Sequence, residues 1–139
     1  MTALDKEILA ERIAAVERHL KRVRDCLPKS ESEFTPSSNA SDAVILHLWQ
    51  AIQLVIDTAL SACVHLQLGS PVSYAEAFLK LGEGGFLDKE LAIRLSYAAG
   101  FRNRIVHPYE DLDMQKIYKI AQTGPSDLKA FLSAVAKSL

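Results

Sequence analysis

The chain has 139 residues, of which 49% are apolar and 24% charged, with a formal net charge of -1. That length suits one domain, residues 1–139, able to bury roughly two thirds of its unfolded surface. The near-neutral charge excludes a bulk electrostatic grip on nucleic acid or membrane, so any RNA contact must be local.

The N-terminus carries Asp5, Glu7 and Glu11 among its apolar residues, which argues against a secretory signal. No uncharged apolar run reaches membrane-spanning length. Leu9, Ile13, Val16, Leu20, Val23 and Leu27 recur in alternating steps of four and three, a narrow stripe on a first helix that Pro28 ends. Within it, Arg18-His19-Leu20-Lys21-Arg22-Val23-Arg24 reads as a solvated basic face, with contact to an RNA backbone as the sharper alternative. Residues 28–40 are rich in Ser, Pro and Glu and read as a long, partly disordered polar loop.

Ser41-Asp42 marks the expected start of a second helix that runs to about Leu68. Ile45, Leu48, Ile52, Val55, Ile56, Ala59, Leu60 and Cys63 give it the broad apolar face of a central helix. Asp57 interrupts that composition, in a polar stripe with Gln50, Gln53 and Ser61. A buried carboxylate needs a partner, so Asp57 is expected to pair with Arg102 or Arg104; a solvated polar face is the plainer account. Ser73 and Glu76 fit a reciprocal capping box opening a short third helix that ends at Gly82. Asp88 caps a fourth helix carrying Leu91, Leu95, Ala98, Ala99, Phe101 and Ile105, expected to stop near His107 because the residue before a proline is pushed out of the α region. A fifth helix covers about 112–122, Gly124-Pro125 interrupts it, and Ser126-Asp127 caps a last segment. The fold class is all-α, an antiparallel bundle of about five helices.

The chemistry concentrates in Arg102-Asn103-Arg104-Ile105-Val106-His107-Pro108-Tyr109. Cleaving an RNA phosphodiester requires a proton taken from the 2′-hydroxyl and another given to the leaving 5′-oxygen, and a histidine suits either task. An arginine fork binds the phosphate and the charge that develops on it, and an asparagine orients the imidazole or bonds the phosphate. Asn103 and His107, four apart, share one helical face. Arg102, about 140° around from His107, does not stack on it within one chain. His19, His47 and His65 are scattered and have no Asp or Glu at ligand spacing, and Cys26 and Cys63 read as free thiols of a reducing cytosol; no metal or cofactor is indicated. The plain structural reading stands beside this one: basic residues at a helix C-terminus face the negative end of its dipole, and proline is an ordinary stop.

Arg102-Asn103, then His107 and Tyr109, resembles the signature of HEPN-domain proteins of the HepT type, small all-helical RNase toxins. The likeness extends to Trp49–Asp57 on the central helix, to Pro71–Phe78 with Leu81, and to Leu112-Asp113 with Ile117 and Ile120. It covers about residues 40–139, with a compatible first helix. Many relatives carry an acid where this chain has Pro108, and the 28–40 loop and Thr123-Gly124-Pro125 also depart from the pattern.

The resemblance implies a homodimer in which two motif helices face each other across one cleft, placing Arg102 of one chain near His107 of the other. It implies metal-independent cleavage of tRNA or mRNA, with His107 as general acid/base, Arg102 on the phosphate and Asn103 orienting the site. It implies an MntA-like nucleotidyltransferase antitoxin that silences the chain by transferring AMP to Tyr109. A bulky anion there would occupy the place the RNA phosphate needs; the plainer reading of Tyr109 is a packed phenol on a turn. Two other functions remain open at the level of sequence: a non-catalytic binding subunit of a minimal nucleotidyltransferase complex, and a helical oligomerisation module.

Overall fold

The computed structural model describes residues 4–105 and 113–139. Among these, five α-helices and one 3-10 turn appear and no strand, in the order α1 (Lys6–Cys26), the turn Glu31–Glu33, α2 (Asn39–His65), α3 (Tyr74–Glu83), α4 (Lys89–Ile105) and α5 (Met114–Lys137). The expected all-α bundle is borne out.

Asp5 caps α1 by accepting from the Ile8 amide at 2.8 Å. The stripe of this helix is buried at Leu9, Val16, Leu20 and Val23, and half-buried at Ile13 and Leu27. The central helix α2 packs against all four others. By length and hydropathy it could cross a membrane. Here that apolarity serves the core: Val44, Leu48, Ala51, Val55, Ile56 and Ala59 are almost completely buried. Its start lies two residues before the expected one. Ser38 is the cap, accepting from the Ser41 amide at 3.0 Å, while the Ser41 hydroxyl accepts from the Ser38 amide at 3.1 Å. Ser41 therefore completes the box from inside the helix. The helix ends at His65, three residues before the expected stop at Leu68, with Gln67 in the left-handed region at φ 60°.

The box at α3 is half-made. Ser73 accepts from the Glu76 amide at 3.1 Å, but the Glu76 carboxylate pairs with Lys80 at 3.5 Å. Asp88 caps α4 through the Leu91 amide at 3.2 Å, as expected. The close approach of α3 and α4 needs Gly82, because a Cβ there would lie 2.8 Å from Ala92 Cβ.

Two expectations change, one in detail and one outright. The 28–40 segment is largely an exposed loop as expected, but it is pinned: it folds into the Glu31–Glu33 turn and sends Phe34 into the core at 4% exposure. Phe34 meets Tyr118 of α5 at a ring distance of 5.5 Å, and the Tyr118 hydroxyl donates to the Pro28 carbonyl at 2.8 Å. One aromatic residue is enough to pin a polar segment of this length. The second correction concerns Gly124-Pro125, which does not break α5. Ile117, Tyr118 and Ala121 before the proline and Leu128, Phe131, Leu132 and Val135 after it form one buried stripe. An interior proline costs about 3 kcal/mol, and burying just Leu128 and Phe131 returns roughly as much or more. Ser126 does not cap a new helix; its hydroxyl donates back to the Thr123 carbonyl at 3.1 Å.

His19 and His47, apparently scattered, meet across α1 and α2 with Nδ1 atoms 3.0 Å apart. Such a bond needs one donor and one acceptor, so full protonation of both rings breaks it. Burial, then the neighbouring His47 and Arg18 charges, hold the His19 ring below its ordinary value. The unfolded chain therefore binds more protons in mild acid. This contribution is intact above about pH 6.5 and is lost as pH falls below it.

Two outcomes are expected. Phe34→Ala lowers unfolding free energy by about 3 kcal/mol in denaturant titration, whereas a truly loose segment would register under about 0.5. The wild-type melting temperature falls more steeply between about pH 7.5 and about pH 5.5 than that of His19→Gln; parallel curves would remove the pair from the pH response.

Candidate functional site

Arg102 and Arg104 both lie in the last turn of α4, where cations meet the negative end of the helix dipole. Two positions apart, they are about 200° apart around the axis and serve different sides. Arg102 is half-buried and turns toward α2 and α3. Its Cζ lies 5.5 Å from the centre of the Trp49 ring and 5.7 Å from that of Tyr74. The site thus forms where the middle of α2, the first residue of α3 and the end of α4 converge. Arg102 Nη1 donates to Asn103 Oδ1 at 3.3 Å, joining two of the expected site residues. Asn103 is exposed.

Arg104 is exposed and lines a groove of about 520 Å³ between α4 and α5. Leu48 and Ile52 of α2, with Leu95 and Phe101, give it apolar walls, and Arg94, Lys116 and Asp127 add charge. Arg94 Nε donates to both Asp127 oxygens at 3.1 and 3.2 Å, which raises the Arg94 pKa and ties α4 to α5. Asp127 therefore bridges two helices and is not a cap.

The expected pairing of Asp57 with Arg102 or Arg104 is not what the structure holds. Asp57 Oδ1 accepts from Gln53 Nε2 at 2.9 Å, one turn earlier on the same helix. The ion pairs among the described residues are Lys21–Asp25, Lys80–Glu76 and Arg94–Asp127, and none includes Asp57. The polar stripe is nonetheless more than a solvated face: Ser61 is 4% exposed and, with Thr58, takes Arg12 Nη1 at 3.4 Å. The basic run of α1 is divided by its environment. Leu20 and Val23 enter the core, His19 meets His47, and Lys21 bonds Asp25 at 3.0 Å. His107 and Tyr109 lie outside the described residues, as does Pro108.

Cys63 is buried, and its thiol donates to the Ala77 carbonyl at 3.4 Å. Burial is the main force pushing its pKa up, so it is a poor nucleophile or ligand. Cys26 is also free. Among the described residues no group of three or more His, Cys, Asp or Glu could hold a metal ion.

The Ribonuclease HepT-like family model matches residues 16–135. The chain belongs to the Ribonuclease HepT-like family. Within this family it is 27% identical over 129 residues to the mRNA nuclease HepT of Shewanella oneidensis, covering 93% of this chain and 96% of that protein. It is 31% identical over 122 residues to the tRNA nuclease HepT of Aphanizomenon flos-aquae, covering 85% and 80%. Its fold is similar to that of the tri-AMPylated Shewanella oneidensis HEPN toxin in complex with MNT antitoxin, with a TM-score of 0.85, 27% identity, and coverage of 98% of this chain and 100% of that one.

Spacing along the HepT-like motif ties Arg102 to Asn103 and His107, but it is silent on Trp49 and Tyr74. These lie 53 and 28 positions upstream of Arg102 on separate helices. The available signal was their place in two of the three segments that carry the family likeness outside the motif.

The Asp57 geometry makes a quantitative prediction. Asp57→Ala removes one neutral-donor bond and should cost about 1 kcal/mol in urea unfolding. A loss of about 3–5 kcal/mol would instead indicate a buried ion pair with an arginine.

Proposed function

We propose that this chain is the ribonuclease toxin of a toxin–antitoxin pair, cleaving tRNA or mRNA without a metal ion. The observation that carries this reading is the held arginine at the end of α4. Its guanidinium rests on two rings beside Asn103, within a family whose relatives are named mRNA and tRNA nucleases. A guanidinium held by ring attraction keeps its charge and its remaining N–H groups for a phosphate.

In this mechanism the 2′-hydroxyl attacks the adjacent phosphorus and loses its proton to a base. The bond to the 5′-oxygen breaks as that oxygen takes a proton from an acid. His107 supplies acid/base function, Arg102 stabilises the charge on the phosphoryl oxygens, and Asn103 orients the site. A homodimer across α4 would bring Arg102 of one chain to His107 of its partner. An exposed stripe of that helix, with Ile93 46% exposed, Tyr97 74% and open space beside Gly100, runs along its Arg104 side.

The partner in this reading is an MntA-like nucleotidyltransferase that transfers AMP from ATP to the Tyr109 hydroxyl and releases pyrophosphate. The added phosphate and nucleoside would then compete with RNA for Arg102.

The test is incubation of the chain, purified without its partner, with total tRNA and mRNA in EDTA. Wild type should cut, and His107→Ala and Arg102→Ala should each cut about 100-fold more slowly or worse while keeping the wild-type circular dichroism spectrum. Cleavage that EDTA abolishes would remove metal independence. No cleavage by a wild-type chain whose mass shows unmodified Tyr109 would favour a binding subunit of a nucleotidyltransferase complex.

A further inference from the structure

We propose that Trp49 and Tyr74 are positioning residues for Arg102, forming an aromatic clamp that takes the place of a carboxylate partner and leaves the arginine's charge available to an RNA phosphate. The inference rests on the ribonuclease reading for its functional half only; the clamp itself is a statement about three side chains.

A long, flexible arginine must be held if it is to stabilise a transition state, and the common device is an acid. An acid here would be self-defeating. It would neutralise the guanidinium, occupy its N–H fork and repel the incoming phosphate. Among the described residues no ion pair includes Arg102, and the Asp57 carboxylate is bonded to Gln53 instead. What Arg102 has is two rings, 5.5 and 5.7 Å from its Cζ. Ring attraction leaves the guanidinium charge intact and forms no hydrogen bond with its donors, while phosphate binding uses those donors. The two interactions are geometrically compatible, whereas two anions on one fork compete.

The unpaired polar atoms in this region fit the same account. Arg102 Nε is buried without a hydrogen-bond partner, and so is Trp49 Nε1. Gln53 Oε1, one turn along α2 from Trp49, is buried and unpaired too, while its amide nitrogen serves Asp57. Buried, unpaired polar atoms are costly, and they concentrate where function requires a particular geometry. The rings come from two different helices, so the arginine is fixed relative to the bundle and not only to its own helix. Tyr74 is the first residue of α3, placed by the Ser73 cap.

The chain contains a single tryptophan, so Trp49 emission reports directly on the clamp. In the full-length wild type, replacing the cation by the uncharged Arg102→Met should change Trp49 emission and its quenching by acrylamide. Superimposable spectra and quenching would overturn the clamp. Activity gives the second readout. Tyr74→Leu should lower kcat on RNA about tenfold with little change in KM, and Tyr74→Phe, which keeps the ring, should recover most of the loss. A Tyr74→Leu protein that melts earlier but keeps wild-type kcat has only a structural tyrosine, and the positioning role fails. If wild type itself cuts no RNA, the ribonuclease reading fails, and the emission change still decides whether the clamp exists.

Discussion

The burial of α2 against α1, α3, α4 and α5 sets the position of every other helix. Leu48 and Ile52 of α2 are buried, and both reach the wall of the groove beside α4 and α5. Trp49, between them in sequence, emerges at about 100° from Leu48 and about 60° from Ile52 and meets Arg102. One turn of the central helix therefore does two things. It anchors α4 through aliphatic packing, and it presents the ring that receives the arginine at the end of α4. A rotation of α2 about its axis would disturb both at once, which couples site geometry to core packing. The dense set of fully buried residues on α2 makes such a rotation costly, because close-packed interiors do not deform continuously.

The second constraint is how closely α3 and α4 approach. Gly82 permits it, and Ala92 fills the space a larger residue would need. This contact lies one helix length from the site, at the α3 C-terminus and the α4 N-terminus. Between them, Gly84 and Gly85 turn the chain, Gly85 with φ 83°. The α3–α4 hairpin is thus a stiff unit, with Tyr74 at one end of α3 and Arg102 at the far end of α4. Their meeting is a consequence of antiparallel helix packing rather than of a local motif.

The sequence made the fold class legible because its apolar positions follow the helical period almost without exception. The α1 stripe and the broad face of α2 were largely correct, although Ile13, Leu27, Ile45 and Leu60 are only half-buried and Val44, Ala51 and Ala62 join the α2 face. The errors share a cause: local signals were read without tertiary payoff. Ser, Pro and Glu in 28–40 outweighed a single Phe34, although one aromatic can dock a segment. Gly124-Pro125 outweighed a stripe that runs unbroken from Ile117 to Val135. Of the site, Arg102 and Asn103 were legible from the motif, and the structure brings them into contact. The aromatic partners were not, because no spacing rule links positions on three helices. Asp57 was recognised as needing a partner, but the nearer one, Gln53 four residues earlier, was passed over in favour of a distant charge.

That misassignment carries a physical lesson about how such a site can work at a net charge of -1. A protein without a strongly basic surface cannot rely on a broad field to collect RNA. If it cleaves RNA as proposed, its few cations at the end of α4 must be kept charged, oriented and unneutralised. The structure treats two arginines of α4, Arg94 and Arg102, in opposite ways. Arg94 is bonded twice to Asp127 and is committed to joining α4 and α5. Arg102, two helical turns later on the same helix, is held by rings, and no ion pair among the described residues includes it. Asp57, the carboxylate expected to pair with it, is instead occupied by an amide on its own helix. Under the proposed ribonuclease reading, separating the cation that joins two helices from the cation that would meet the phosphate keeps stability and binding from competing for the same charge.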